Sequence, residues 1–141
     1  MFLLHNGKVQ MEWFPREAST VINNGDALKW DGSGDLVPAA ADDTVPIAVV
    51  SLKKVATTDA DYATDGVQIP GYMLMPDSVF VGDVGAGTAT AANIGIAYDL
   101  FDAGSVDLTA TDHKVVTVVG IIDASHVLVK FNSAYEFVNV S

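Results

Sequence analysis

The sequence predicts an all-β protein. It reads as one compact barrel- or sandwich-like domain over residues 1–141, built from two similar small β-motifs with little helix. Three observations lead there. Short runs rich in β-branched and aromatic residues, such as Ile47–Leu52 and Val115–Ile122, are separated by Gly, Asp and Asn clusters, which is the strand-and-turn pattern. No long segment carries apolar residues at i, i+3, i+4 and i+7 between two caps, as an amphipathic helix requires. Turn and strand residues also recur about 70 positions apart.

The elements follow in order. Asn6-Gly7 lies between Phe2-Leu3-Leu4 and Val9–Trp13. Both turn residues tolerate positive φ, so the spacing predicts an apolar N-terminal hairpin over 1–15, ended by Pro15. A first β-motif follows over 20–80. Its strands are Thr20–Ile22, Asp26–Trp30, Leu36-Val37, a run opened by Pro46 and carried by Ile47–Leu52, and Val67–Met75 with a bend at Pro70-Gly71. Asp31–Asp35 is a tight turn and Thr57–Asp65 a polar acidic loop. The stretch 82–95, GDVGAGTATAANIG, reads as a mobile connector of small residues. A second β-motif spans 95–141, with Val115–Ile122 and His126–Phe131 as its best strand pair and Tyr135–Val140 as a further strand.

The repeat pairs Asn23–Ala27 with Asn93–Ala97, Asp35-Leu36 with Asp107-Leu108, and Ile47–Val50 with Val119–Ile122. These are common turn and strand residues, and both duplication and chance produce such matches.

Several chemistries fail on spacing. Gly82 and Gly87 stand at the two glycine positions of a phosphate-binding loop. Thr88 occupies the lysine position, and no Lys or Arg lies between Val55 and His113. The loop therefore lacks the cation that reaches the β and γ phosphates. Ser33 sits directly between Gly32 and Gly34, which is turn chemistry and not the G-x-S-x-G elbow of a hydrolase. His5, His113 and His126 show no metal spacing. Asp59, Asp61 and Asp65 crowd one loop, but an EF-hand starting at Asp59 would need ligands where Ala63 and Pro70 stand. Carboxylate pairs for glycoside cleavage have no motif here. Aromatic residues such as Trp30, Tyr72 and Phe101 serve as core, interface or sugar-groove residues. No cofactor and no catalytic residue is expected.

Composition narrows the partners. The net charge is −11 with seven scattered basic residues, whereas a nucleic-acid binder needs a clustered positive footprint. Neither nucleic acid nor a membrane is an expected partner. The start MFLLHNGK lacks a basic n-region and is not read as a signal peptide. Cysteine is absent, which fits assembly in a reducing cytoplasm.

The run VINNGDALKWDGSGDLVPA, followed by TVPIAVV, resembles small head decoration (cement) proteins of tailed bacteriophages. So do the 82–95 stretch, AYDLFDAGSVDLTA and KVVTVVGIIDASHVLVKF. The resemblance covers about residues 8 to 132 and rests on the order and spacing of turns and strands. It implies a β-rich, non-enzymatic virion protein on the outer capsid surface. Such a protein binds the major capsid protein and often forms a trimer or dimer. The apolar N-terminal segment has no clear match in that family. Expected partner contacts are Phe2, Leu3, Leu4, Trp13 and Phe14 of the N-terminal arm, and Tyr135, Phe137 and Val138 of the tail. The competing expectation for both arms is that they complete the domain's own sheet. Alternative functions are another virion part, such as a tail or fibre module, a carbohydrate-binding β-domain, or, last, a small aspartate hydrolase.

Overall fold

The computed structural model describes residues 1–44 and 46–132. The fold is all-β. Among the described residues, eleven strands lie in two sheets, and the one helical element is a single 3-10 turn at Ala91–Asn93. In chain order the strands are β1 (Phe2–Asn6), β2 (Gln10–Pro15), β3 (Ala27–Trp30), β4 (Leu36–Pro38), β5 (Val49–Ser51) and β6 (Gln68–Met73). They continue with β7 (Val79–Ala86), β8 (Ala97–Asp102), β9 (Ser105–Asp107), β10 (Val116–Asp123) and β11 (His126–Phe131).

One sheet runs β2-β6-β5-β3-β4 and the other β1-β7-β11-β10-β8-β9. Each curls until its ends meet. A parallel bridge joins Arg16, just past β2, to Leu36 at the start of β4. Parallel pairing of β7 with β9 closes the second ring at Asp83–Ala86. Omitting β1, the two rings share one topology, with β2 to β6 in the order of β7 to β11.

The repeat is therefore real, and its register is firm. Gly25 N donates to Ser51 O as Gly95 N donates to Val118 O, both at 2.8 Å. Ser51 N donates to Asp26 O as Val118 N donates to Ile96 O. Gly25 and Gly95 have φ of 83° and 86°, so the Asn–x–Gly turns match in backbone as well as in sequence. The alignment of the later strands differs from the sequence echoes. Ala27 pairs with Val50 and Ala97 with Thr117, so the counterpart of Val50 is Thr117 and not Ile122. Trp30 faces Leu36 as Leu100 faces Val106.

Alternation builds the cores. Inward residues of β8, β9, β10 and β11, namely Leu100, Val106, Val116, Val118, Val127 and Val129, join Phe80 inside the second ring. Ala27, Ile47, Val50 and Leu74 from the first half pack against this cluster, so the two sheets share one core in a sandwich-like arrangement. The interior of the first ring is a separate cluster around Phe14, Ile22, Leu28, Val49 and Ile69. Burial of this kind stabilises by roughly 25 cal/mol per Å² of apolar surface.

Four expectations need correction, the first being the Thr20–Ile22 strand, which is reduced to one isolated bridge between Ile22 and Val55. The N-terminal hairpin does not form: β1 pairs with β7, and β2 pairs with β6. Asn6-Gly7 is instead a sharp crossing between the sheets. Gly7 has φ +91°, and any Cβ there would strike the Asp77 carbonyl. The 82–95 connector begins later than expected, because Gly82–Ala86 is strand. Lastly, β8 and β9 are strands that no sequence signal marked.

Candidate interaction surfaces

The expected N-terminal contact residues divide by burial. Phe2 is 1% exposed and Phe14 is buried, so neither side chain is available to a partner. Phe2 lies edge-on to Phe131, with ring centroids 5.1 Å apart, and Phe14 to Trp30 at 6.2 Å. Leu4 is half-buried against the core. Leu3 and Trp13 do project outward, and Trp13 is 57% exposed. Met11, two residues before Trp13 and so on the same face of β2, is 51% exposed. Tyr135, Phe137 and Val138 lie outside the described residues.

A surface that sequence reasoning missed lies on the outside of the second ring. The pairing of β10 with β11 skips one residue between Val118 and Gly120 and another between Ile121 and Asp123. The skipped residues are Val119 and Ile122, and both are exposed. A β-bulge bends the strand and re-aims a side chain, and here both irregularities turn an aliphatic residue to solvent. Ile94 and Ile96 are also exposed. They flank Gly95, whose N–H bonds Val118 O, while Ile96 O accepts Val118 N. The turn thus lies alongside β10, beside Val119. The signal in the sequence was Gly120 within a strand run, since an interior strand glycine often marks a bulge.

Both clusters of titratable groups are structural in character. Asp99 is buried. It accepts backbone N–H groups from Asp112 (3.2 Å), His113 (2.6 Å) and Lys114 (2.8 Å), and the His113 ring at 3.2 Å. Burial raises its pKa, but the bonds from Lys114 and His113 outweigh that and hold it below the usual carboxylate value. His126 is bracketed by carboxylates. Its Nδ1 lies 2.8 Å from Asp123 and its Nε2 3.4 Å from Asp83. With both ring nitrogens engaged, it acts as a strut between β11 and β7. No hydroxyl nucleophile bonds either imidazole among the described residues.

The acidic loops resolve into caps. Asp31 Oδ1 accepts Ser33 N and Asp35 N, and Asp59 Oδ2 accepts Ala56 N. Among the described residues, no three His, Cys, Asp or Glu side chains are grouped to hold a metal ion. An open groove of about 730 Å³ runs past Met1, Asn23, Asp26, Asp83, Asp102 and Gly104. The Met1 amine bonds Asp83 and the Gly104 carbonyl there. Three carboxylates make this groove hostile to phosphate, in line with the failed phosphate-loop spacing on β7.

No protein-family model matches the chain, and no curated protein matches it.

Proposed function

We propose that this chain is a virion structural protein. In this reading it binds the outer surface of a tailed-phage capsid and stabilises contacts between major capsid protein subunits, without enzymatic activity. The resemblance of the 8–132 segment to head decoration proteins motivates the reading. The observation that carries it is the apolar face of Val119, Ile122, Ile94 and Ile96, two of them turned outward at bulges in β10. Grouped exposed aliphatic side chains on a soluble surface mark interaction sites. The net charge of −11 suits a protein displayed in many copies, since like charge keeps unbound copies apart.

The mechanism is thermodynamic. A protein that binds only the expanded shell stabilises that shell by mass action. Repeated copies around closed rings of subunits add avidity. Neither nucleic acid, a membrane nor a cofactor enters this reading, and assembly takes place in the host cytoplasm.

Co-sedimentation with expanded shells of the parent phage tests it. The native chain should pellet with shells and raise their disruption temperature. Val119→Asp and Ile122→Asp should bind at least tenfold more weakly while keeping the native fold. Failure of the native chain to bind expanded shells would refute the proposal, and specific retention on a glycan array would favour the carbohydrate-binding alternative.

A further inference from the structure

The dipeptide Asn-Gly occurs twice, at Asn6-Gly7 and Asn24-Gly25. Asparagine is thermolabile, and a following glycine exposes it most, because no Cβ hinders the glycine nitrogen from reaching the side-chain amide. Both glycines are left-handed, with φ of 91° and 83°. Their main-chain nitrogens are placed differently. Gly25 N donates to Ser51 O at 2.8 Å, and Gly25 O accepts Phe2 N at 2.8 Å. Gly25 is also buried, packed against Met1 and Phe2. Asn6 and Gly7 are both exposed. Gly7 N donates to the Asn6 side chain itself, at 2.7 Å from Oδ1. Asn6 ends β1, past an irregularity in its pairing with β7.

We propose that Asn6 is a site of spontaneous covalent modification, converted through a cyclic imide to aspartate or isoaspartate, while the fold protects Asn24 in the same dipeptide. The bond from Gly7 N to Oδ1 holds the attacking nitrogen beside the carboxamide carbon it must reach. Solvent base takes the Gly7 N–H proton, and the nitrogen bonds to Asn6 Cγ. Nδ2 gains a proton and leaves as ammonia, which closes a five-membered imide. Water then adds to one of the two imide carbonyls. Breaking the bond from Gly7 N to Cγ restores the ordinary main chain with an aspartate at position 6. Breaking the bond from Gly7 N to the main-chain carbonyl routes the chain through the side chain, as isoaspartate. Water enters, ammonia leaves, and nothing is oxidised or reduced. At Asn24 the same attack must wait for local opening that frees Gly25 N from Ser51 O.

The site lies where the chain crosses between the sheets, and the two products act differently there. The aspartate product changes only charge, on an exposed side chain. The isoaspartate product adds a carbon atom to the main chain next to Gly7. That main chain is already tight, since a Cβ on Gly7 would strike the Asp77 carbonyl and lie 2.9 Å from Ser78 Cα. The extra length must be taken up in the link between β1 and β2. The proposal holds whether or not the partner is a capsid.

Incubation of the full chain in mildly alkaline heavy-oxygen water, followed by peptide mapping with mass spectrometry, tests it. In the folded chain Asn6 should convert at least tenfold faster than Asn24, with heavy oxygen in the product. Isoaspartyl methyltransferase should label the peptide that carries position 6. In urea, where both glycine nitrogens are free, the two rates should converge. Equal conversion of Asn6 and Asn24 in the folded chain would overturn the inference, and so would an Asn6 that stays intact. A preference for Asn6 that persists undiminished in urea would also overturn it, because sequence and not the fold would then set the selectivity.

Discussion

The Phe2 ring lies directly over Gly82. A Cβ built on that glycine would sit 2.8 Å from Phe2 Cε1 and 3.2 Å from Cδ1. In the first ring the counterpart of Gly82 is Phe14, which fills the interior from its own strand. The second ring leaves that place empty on β7 and fills it with a ring from β1. This is why the N-terminal strand belongs to the second sheet, although its sequence neighbour β2 belongs to the first.

The pair should behave as a unit. Phe2→Ala removes a fully buried ring and should cost about 3–5 kcal/mol. Gly82→Ala forces the ring aside and should cost about 1–3 kcal/mol. In the Phe2→Ala background the added methyl meets no ring, so its cost should largely vanish. Urea unfolding of the double-mutant cycle measures this, and additive costs would refute the packing account.

Arg16 closes the first ring and is 1% exposed. Its guanidinium donates to the carbonyls of Asp61 (2.7 Å) and Tyr62 (3.2 Å), tying the 57–65 loop to the barrel. The Asp61 carboxylate, 3.5 Å away, is half-exposed. Arg16→Met should therefore cost about 1–3 kcal/mol and speed amide exchange in 59–65, because it removes two charge-assisted bonds and leaves the Asp61 and Tyr62 carbonyls only the N–H groups of Thr64 and Ser19. Asp61→Ala should cost under about 1 kcal/mol, as exposed ion pairs do. Equal costs from urea unfolding would show that the carboxylate and not the carbonyls holds the loop.

These contacts also explain what the sequence did and did not disclose. Local signals were legible: the positive φ at Gly7, the matching turns at Gly25 and Gly95, and the strong alternation of β10 and β11. The pairing of β1 was not, because it depends on space left at Gly82, 80 residues along the chain from Phe2. Strands β8 and β9 were hidden by Asp99, Asp102 and Asp107, which break the apolar alternation. Each serves a neighbouring turn. Asp102 Oδ1 accepts Gly104 N, Asp107 Oδ1 accepts Thr109 N, and Asp99 gathers 112–114. The apolar face at Val119 and Ile122 was hidden because bulges take those residues out of the period-two pattern that assigns inside and outside.

Asp99 should dominate the acid limb of stability. Its folded pKa lies below the ordinary 3.8. A depressed carboxylate contributes stability that is complete above its unfolded value and is lost as pH falls through the folded one. Stability should therefore decline below about pH 4 as this cap protonates. Asp99→Ala should cost about 3 kcal/mol or more at neutral pH by leaving backbone donors of 112–114 unpaired. The variant should also show a shallower decline between about pH 4 and pH 2. An unchanged acid limb in thermal melts would assign it to other groups.

Asp26 should act in the opposite sense. Burial pushes its pKa above 3.8, against the lowering effects of the Asn23 N–H and the Met1 amine, with Asp102 adding repulsion. The folded chain then binds more protons at Asp26 than the unfolded chain does between 3.8 and the folded value. Stability falls as pH rises through that window, and the cost of the buried charge persists at neutral pH. The Asn23 N–H donates to Asp26 Oδ2 at 2.8 Å. An amide in place of this carboxylate keeps an oxygen for that bond and carries no charge. Asp26→Asn should therefore raise the melting temperature at about pH 7 and give no gain at about pH 3. A variant less stable than the native chain at neutral pH would show that the carboxylate's bond to Asn23 and its attraction to the Met1 amine outweigh its desolvation.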